Sequence, residues 1–224
     1  MDPLRINFIA MKEYSKKLDS ISSNIANVSS PGYKKSSVVF KFENDSILGT
    51  NYTDISNGEL IKTFSDMDIA IDGNGFFVLT DGNEIFYSRN GSLKINENGE
   101  LVNVNNLKFL SDKGNIKVDP QKKIKIDKDG NIIQEDKIIA KLLVKNFSDK
   151  VKILPVGNSL YRIEGEEKDK EYKILQGYQE ASNVNIIDEM SSMIKLMRDF
   201  ERNEKIIKEN NQITSRMISV FSKF

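Results

Sequence analysis

Apolar residues recur with two different periods along this chain, and the change of period divides it into three parts. Over the first 28 residues, Leu4, Met11, Leu18 and Ile25 repeat every seven positions, and Tyr14, Ile21 and Val28 form a second row three positions on. Rows so spaced make the a/d seam of a helix that packs along another helix. Asn7 interrupts the second row. Ser29-Ser30-Pro31-Gly32 then stops the helix. Proline removes a donor and turns the preceding residue away from helical geometry, and glycine tolerates positive φ.

Over residues 38–175 the texture changes to short β-prone runs separated by turn dipeptides: Asn57-Gly58, Asp72-Gly73, Asp81-Gly82, Asn90-Gly91, Asn98-Gly99 and Asp129-Gly130. Such pairs favour the type I′ turns that close two-residue hairpins. The strands expected between them cover 68–71, 75–80, 85–88, 101–104, 122–127 and 138–145. No helical period alternates with these runs, which argues against a parallel α/β sheet and for antiparallel hairpins.

Helical periodicity returns over 184–222. Ile186, Met193, Phe200, Ile207 and Phe221 lie on one seven-residue row, with Thr214 as a polar member. Met190, Met197 and Ile218 lie on the other, where Glu204 and Asn211 replace apolar residues. Asn183 or Asn185 is placed to cap the start. The expected fold class is therefore α+β: a central antiparallel all-β domain of hairpins, flanked by N- and C-terminal amphipathic helices that pair as a coiled-coil-like layer. The expected domains are 1–37, an N-terminal helix and link; 38–175, the β-rich domain; and 176–224, a C-terminal helix. The two helices can pair only if the ends of the chain return to one place. Most helical stability comes from packing an apolar face, and the polar insertions leave surface that suits a partner such as another copy of the chain. A two-helix appendage packed onto the β domain gives the same pattern.

Composition narrows the chemistry. Thirty-three basic residues balance 33 acidic ones among 224, so no net charge draws the chain to nucleic acid or an anionic membrane surface. There is no Cys, His or Trp, which removes thiolate and imidazole catalysis and the usual zinc ligands. No apolar run approaches the ~20 residues of a membrane span. Residues 1–28 interleave apolar positions with Lys16, Lys17, Asp19 and Asn24 and lack the apolar stretch of a signal peptide. No membrane insertion, nucleic-acid partner, catalytic residue, cofactor or metal is expected. Gly73-x-Gly75 has two glycines of a nucleotide fingerprint but runs on into the β-like Phe76-Phe77-Val78-Leu79, so a turn is the better reading. Asp127-x-Asp129-Gly130-Asn131 echoes a calcium loop, but its glycine falls at the wrong place for an EF-hand. Carboxylates are plentiful, and no local motif pairs two of them for glycoside chemistry.

Three stretches resemble one known family. Leu18-Asp19-Ser20-Ile21-Ser22-Ser23-Asn24-Ile25-Ala26-Asn27-Val28 runs through a short polar link to Gly32-Tyr33-Lys34. Asp68-Ile69-Ala70-Ile71-Asp72-Gly73-Asn74-Gly75-Phe76-Phe77-Val78 precedes Tyr87-Ser88-Arg89-Asn90-Gly91-Ser92-Leu93 and Gly99-Glu100-Leu101-Val102. Ser182-Asn183-Val184-Asn185 leads into Glu189-Met190, Met193-Ile194, Arg198, Phe200-Glu201 and Asn203. In this order they resemble the signatures of the flagellar rod and hook axial proteins. The resemblance implies a structural subunit whose terminal helices pack into the inner tube of the axial structure while the β domain faces outward. It implies partners that are copies of itself and other rod and hook proteins, export through the flagellar type III apparatus without a cleaved signal peptide, and a place in the basal-body rod crossing the periplasm.

The sequence departs from the family at Thr63-Phe64-Ser65, where members usually have Thr-Gly-Asn, and at Ala10, where a glycine is common. The brief 40–60 region and short chain favour a proximal over a distal rod protein. The residues expected to carry assembly are Leu4, Met11, Leu18, Ile21, Asn24, Ile25, Ala26, Asn27, Val28 and Tyr33 at one end. At the other they are Asn183, Val184, Glu189, Met190, Met193, Ile194, Met197, Phe200 and Ile207. A secreted β-rich adhesin or carbohydrate-binding module, or an enzyme with a dispersed site, is the competing expectation.

Overall fold

The computed structural model describes residues 3–43, 46–148, 151–168 and 171–221; side chains at 3–8, 10, 42, 43, 46, 47, 220 and 221 lie outside that description. The chain divides into two units. One comprises Met1–Ala26, Ser36–Tyr52 and Asn185–Phe224; the other comprises Asn27–Lys35 and Thr53–Val184.

The first unit holds two helices, α1 (Pro3–Ala26) and α2 (Ile186–Phe221), and a two-stranded ribbon, Ser36–Glu43 with Ser46–Thr53. Asn185 caps α2: its side-chain Oδ1 accepts from the Ile187 N–H at 3.0 Å, and Asp188 and Glu189 occupy the first turn, where the helix dipole favours acid. The ribbon packs on α1. Val38 is buried, and the Lys17 ammonium lies 5.9 Å from the centre of the Phe40 ring. Gly49 lets the ribbon approach closely, for a Cβ there would stand 2.3 Å from Glu13 Oε2. The unit boundaries therefore differ from the domains expected at 37/38 and 175/176. A lone two-stranded ribbon cannot bury a face by itself and must borrow one, and α1 supplies it.

In the second unit all paired strands among the described residues are antiparallel. Its main sheet has nine strands. Seven run in the spatial order Lys152–Gly157, Leu160–Glu164, Ile85–Ser88, Phe76–Thr80, Lys108–Ser111, Leu101–Val102 and Lys94–Ile95. The outermost of these, Lys152–Gly157, carries Pro155. Phe76 and Phe77 point to opposite faces, as alternation along a strand requires. Phe77 joins the main core with Ile69, Leu79, Leu101, Phe109 and Ile132, and Phe76 joins Phe147 and Tyr161 in a second cluster. The strand Tyr172–Gln176 pairs with Asp68–Gly73, Tyr172 opposite Gly73 and Gln176 opposite Ile69. The end of the unit is thereby zipped to its beginning.

The turns are not those the dipeptides suggested. Asp81-Gly82 and Asp129-Gly130 sit in longer loops held by aspartate side chains: Asp81 Oδ1 accepts from the N–H groups of Asn83 and Glu84, and Asp127 Oδ1 from those of Asp129 and Asn131. The Asp127 loop is thus a turn held by its own amides. Three two-residue connections occur among the described strands, at Asp112-Lys113, Glu135-Asp136 and Asn158-Ser159, and in the last two all four residues have φ between 48° and 60°. At Glu135-Asp136 and Asn158-Ser159 this is type I′ geometry without glycine.

Candidate assembly surface

α1 and α2 run antiparallel. Asn24 near the end of α1 donates from Nδ2 to Glu189 Oε2 at 3.0 Å near the start of α2, while Tyr14 and Leu18 face Leu196 and Phe200. Asn24 is 1% exposed and also clasps the ribbon, donating to Ser36 O at 2.7 Å and accepting from Ser36 N–H at 2.9 Å. One side chain thus ties both helices and the first strand together. Ile21 is buried beside it, and Met11, Leu18 and Ile25 are half-buried along the same helix. Ala26 is exposed, and Leu4 lies outside the described side chains.

Along α2 one expected row is only partly covered, with Ile186 40% exposed and Thr214 exposed, and the other is displaced by one position. Met193 and Ile207 are half-buried and Phe200 is 39% exposed on the row read from the sequence. The second row facing α1 is Glu189, Leu196, Asn203 and Asn210, which are buried or half-buried, and not Met190, Met197 and Glu204, which are exposed. The cause is the Asn24–Glu189 bond. A buried polar pair sets the register, and an apolar-only pattern skips it.

Rotation by one position leaves a second apolar stripe on the open side. Ile187, Met190, Ile194 and Met197 follow at spacings of three and four and are 72%, 53%, 53% and 53% exposed. Beside it lies a groove of about 330 Å³ lined by Tyr14, Leu18, Leu196, Met197, Phe200 and Glu201.

The second unit has its own feature, a buried ion cluster. Glu180 accepts from Lys34 Nζ at 2.7 Å, from Arg89 Nε at 2.7 Å and from the Gly58 N–H at 2.9 Å. All three charged side chains are at most 2% exposed. The remaining Arg89 donors go to Asn57 Oδ1 and to the carbonyls of Gly73 and Gly75. The Gly73-x-Gly75 loop therefore turns carbonyls, not amides, to its partner, which is the opposite polarity from a phosphate cradle. Burial lowers the Lys34 pKa from its usual value, against the pull of Glu180. Its N–H donates to Tyr161 Oη at 2.8 Å, and burial raises that phenol's pKa.

The link between α1 and the ribbon is anchored here. Asn183 accepts from the Lys35 N–H at 2.7 Å and donates to Asp54 O at 2.9 Å, so it is a staple and Asn185 is the helix cap. Gly32 donates to Glu180 O, and a Cβ on it would stand 2.3 Å from Asn90 N. Asn27, Val28 and Tyr33 are half-buried in this link, and Val184 is buried at its far end. Sequence reasoning singled out neither the cluster nor Ile187 and Leu196. Lys34 and Arg89 fall within larger motifs, and Glu180 lies 146 residues from Lys34 and 91 from Arg89.

Among the described residues no helix is long and apolar enough to cross a membrane, and no three His, Cys, Asp or Glu side chains are grouped to hold a metal ion. Three family models match the chain: a flagella basal body rod protein model over residues 4–34, a flagellar hook protein FlgE/F/G D1 domain model over 70–134, and a flagellar basal body rod FlgEFG C-terminal model over 175–220. The chain is 31% identical to the flagellar basal-body rod protein FlgG of Buchnera aphidicola subsp. Baizongia pistaciae, over 89% of this chain and 92% of that one. It is 32% identical to FlgF of the same organism over 89% and 91%, and 28% identical to FlgF of Mesorhizobium japonicum over 93% and 92%. By these matches, which span both terminal helices and the β unit between them, the chain belongs to the flagellar basal-body rod protein family.

Proposed function

We propose that this chain is a subunit of the proximal rod, polymerising through its terminal helices into a helical tube that transmits torque to the hook. Membership of the family makes it a structural subunit of the flagellar rod, assembling with other rod and hook proteins, and not an enzyme. The observation that carries the assembly reading is the open stripe Ile187, Met190, Ile194 and Met197 on a helix whose other face is already packed. Exposed apolar rows of this kind mark interaction surfaces. The inward-facing α1 residues, with Asn24, Glu189 and Asn183, hold the subunit in shape to present that stripe. Contacts that are not self-complementary and do not close into a ring generate filaments.

Export through the flagellar type III apparatus, without a cleaved signal peptide, and a position crossing the periplasm belong to the same reading. The short ribbon region supports the proximal position, while relatives named FlgF and FlgG match about equally. The test is a double substitution, Met190→Lys with Ile194→Lys, in the full-length chain. Motility and rod assembly are lost while the purified monomer keeps its melting temperature; normal rods from this variant overturn the reading. The rod position is read from hook–basal bodies of a deletion strain, whose rods stop at the proximal segment.

A further inference from the structure

α2 is longer than its partner, 36 residues against 24. The antiparallel register set by Asn24–Glu189 carries Pro3 to about the level of Asn210. Beyond that level α2 extends roughly another 15 Å at 1.5 Å per residue. Every described residue from Asn211 to Ser219 is exposed, among them Ile213 at 50%, Met217 at 57% and Ile218 at 63%. Asn210, Ile213 and Met217 continue the side of α2 that α1 covers earlier in the helix. The overhang thus carries exposed apolar residues on the side of α2 that α1 covers earlier in the helix.

The same unit offers a matching receptor. The groove between α1 and α2 is floored by Leu18, Leu196 and Phe200, walled by Tyr14 and Met197, and edged by Glu201. The only charged residue between Asn211 and Ser219 is Arg216, opposite in sign to Glu201. Building on the reading that α2 carries assembly, we infer that the α2 overhang of one copy docks in the α1–α2 groove of the next, with Ile213 and Met217 as apolar anchors and Arg216 set against Glu201. Donor and receptor are different patches about 30 Å apart along α2, so one copy has a site for each of two neighbours, and the chain of contacts grows wherever its rotation does not close a ring. Methionine on both sides suits a surface that adapts to a twisting polymer.

A chain without cysteine makes the contact directly testable. Two full-length single-cysteine variants, Met217→Cys and Met197→Cys, are mixed under assembly conditions and oxidised. Disulfide-linked dimers form between the two variants, and replacing Met197→Cys by Ile138→Cys on the β unit abolishes them. Failure to cross-link in protein that assembles normally, or Met217→Cys pairing only with itself, overturns the docking contact while sparing the wider reading. Normal assembly by the Met190→Lys, Ile194→Lys chain defeats the wider reading instead. As a second measure, Arg216→Glu weakens assembly about threefold, and adding Glu201→Arg restores it, in line with an exposed ion pair.

Discussion

The two units differ in what stands out in each: a buried ion cluster in one, and rows of exposed apolar residues along a helix in the other. The β unit buries its charges: Lys34, Arg89 and Glu180 sit with almost no exposure, and their hydrogen bonds are met from within. The helical unit leaves apolar residues in the open, along Ile187–Met197 and again at Ile213 and Met217. The first is finished as a single chain. The second leaves apolar rows open to solvent along α2. If the helical unit carries assembly, as proposed above, surface chemistry marks the polymerising part more clearly than secondary structure does.

Breaking the β unit's side of the comparison has the largest effect. Glu180→Ala leaves two buried cations without their anion and lowers stability by about 3–5 kcal/mol, measured by urea unfolding. A loss under 1 kcal/mol would mean that the cluster is hydrated. Next comes Asn24→Ala, which removes the hydrogen bonds to Ser36 and to Glu189 and costs roughly 2 kcal/mol in the same measurement. It also loosens the helix register, so assembly falls with it. In contrast, Met190→Lys with Ile194→Lys leaves monomer stability within about 0.5 kcal/mol, as exposed positions do.

Two smaller tests sharpen the picture. The hydrogen bond from Lys108 and that from Asn96 hold the Glu100 pKa below the usual carboxylate value. A carboxylate with a depressed folded pKa contributes stability above its unfolded pKa and loses it as pH falls through the folded one. Glu100→Gln therefore flattens the loss of stability between about pH 5 and the folded pKa, seen in melting temperatures across an acid series. Phe64 is 80% exposed with φ of 60°. The turn keeps the backbone that the family's usual glycine would adopt freely. Phe64→Gly raises stability by about 0.5–1 kcal/mol. A fall instead would show that the Lys62 ammonium, 4.6 Å from the ring centre, matters more than the backbone strain.

Local signals were legible in the sequence. The heptad rows gave both helices, and the runs 68–71, 75–80 and 85–88 became Asp68–Gly73, Phe76–Thr80 and Ile85–Ser88. What escaped depends on distant partners. The second α2 row is set by Glu189, which looks like a surface residue until Asn24 arrives from 165 positions away. The strand Lys152–Gly157 was hidden by Pro155, and the turns at Glu135-Asp136 and Asn158-Ser159 lack the glycine that announces such geometry. The ribbon at 36–53 looks like part of the β domain by composition, yet packing against α1 decides where it belongs.

Pro155 has a further consequence once many copies stand side by side. Neighbouring chains in a polymer meet at an effective concentration far above that of free protein. An outermost strand with a full row of free donors would then recruit its neighbours edge to edge. A residue with no N–H on the strand Lys152–Gly157 breaks that row. Pro155 thus makes that strand a poor template for edge pairing between copies.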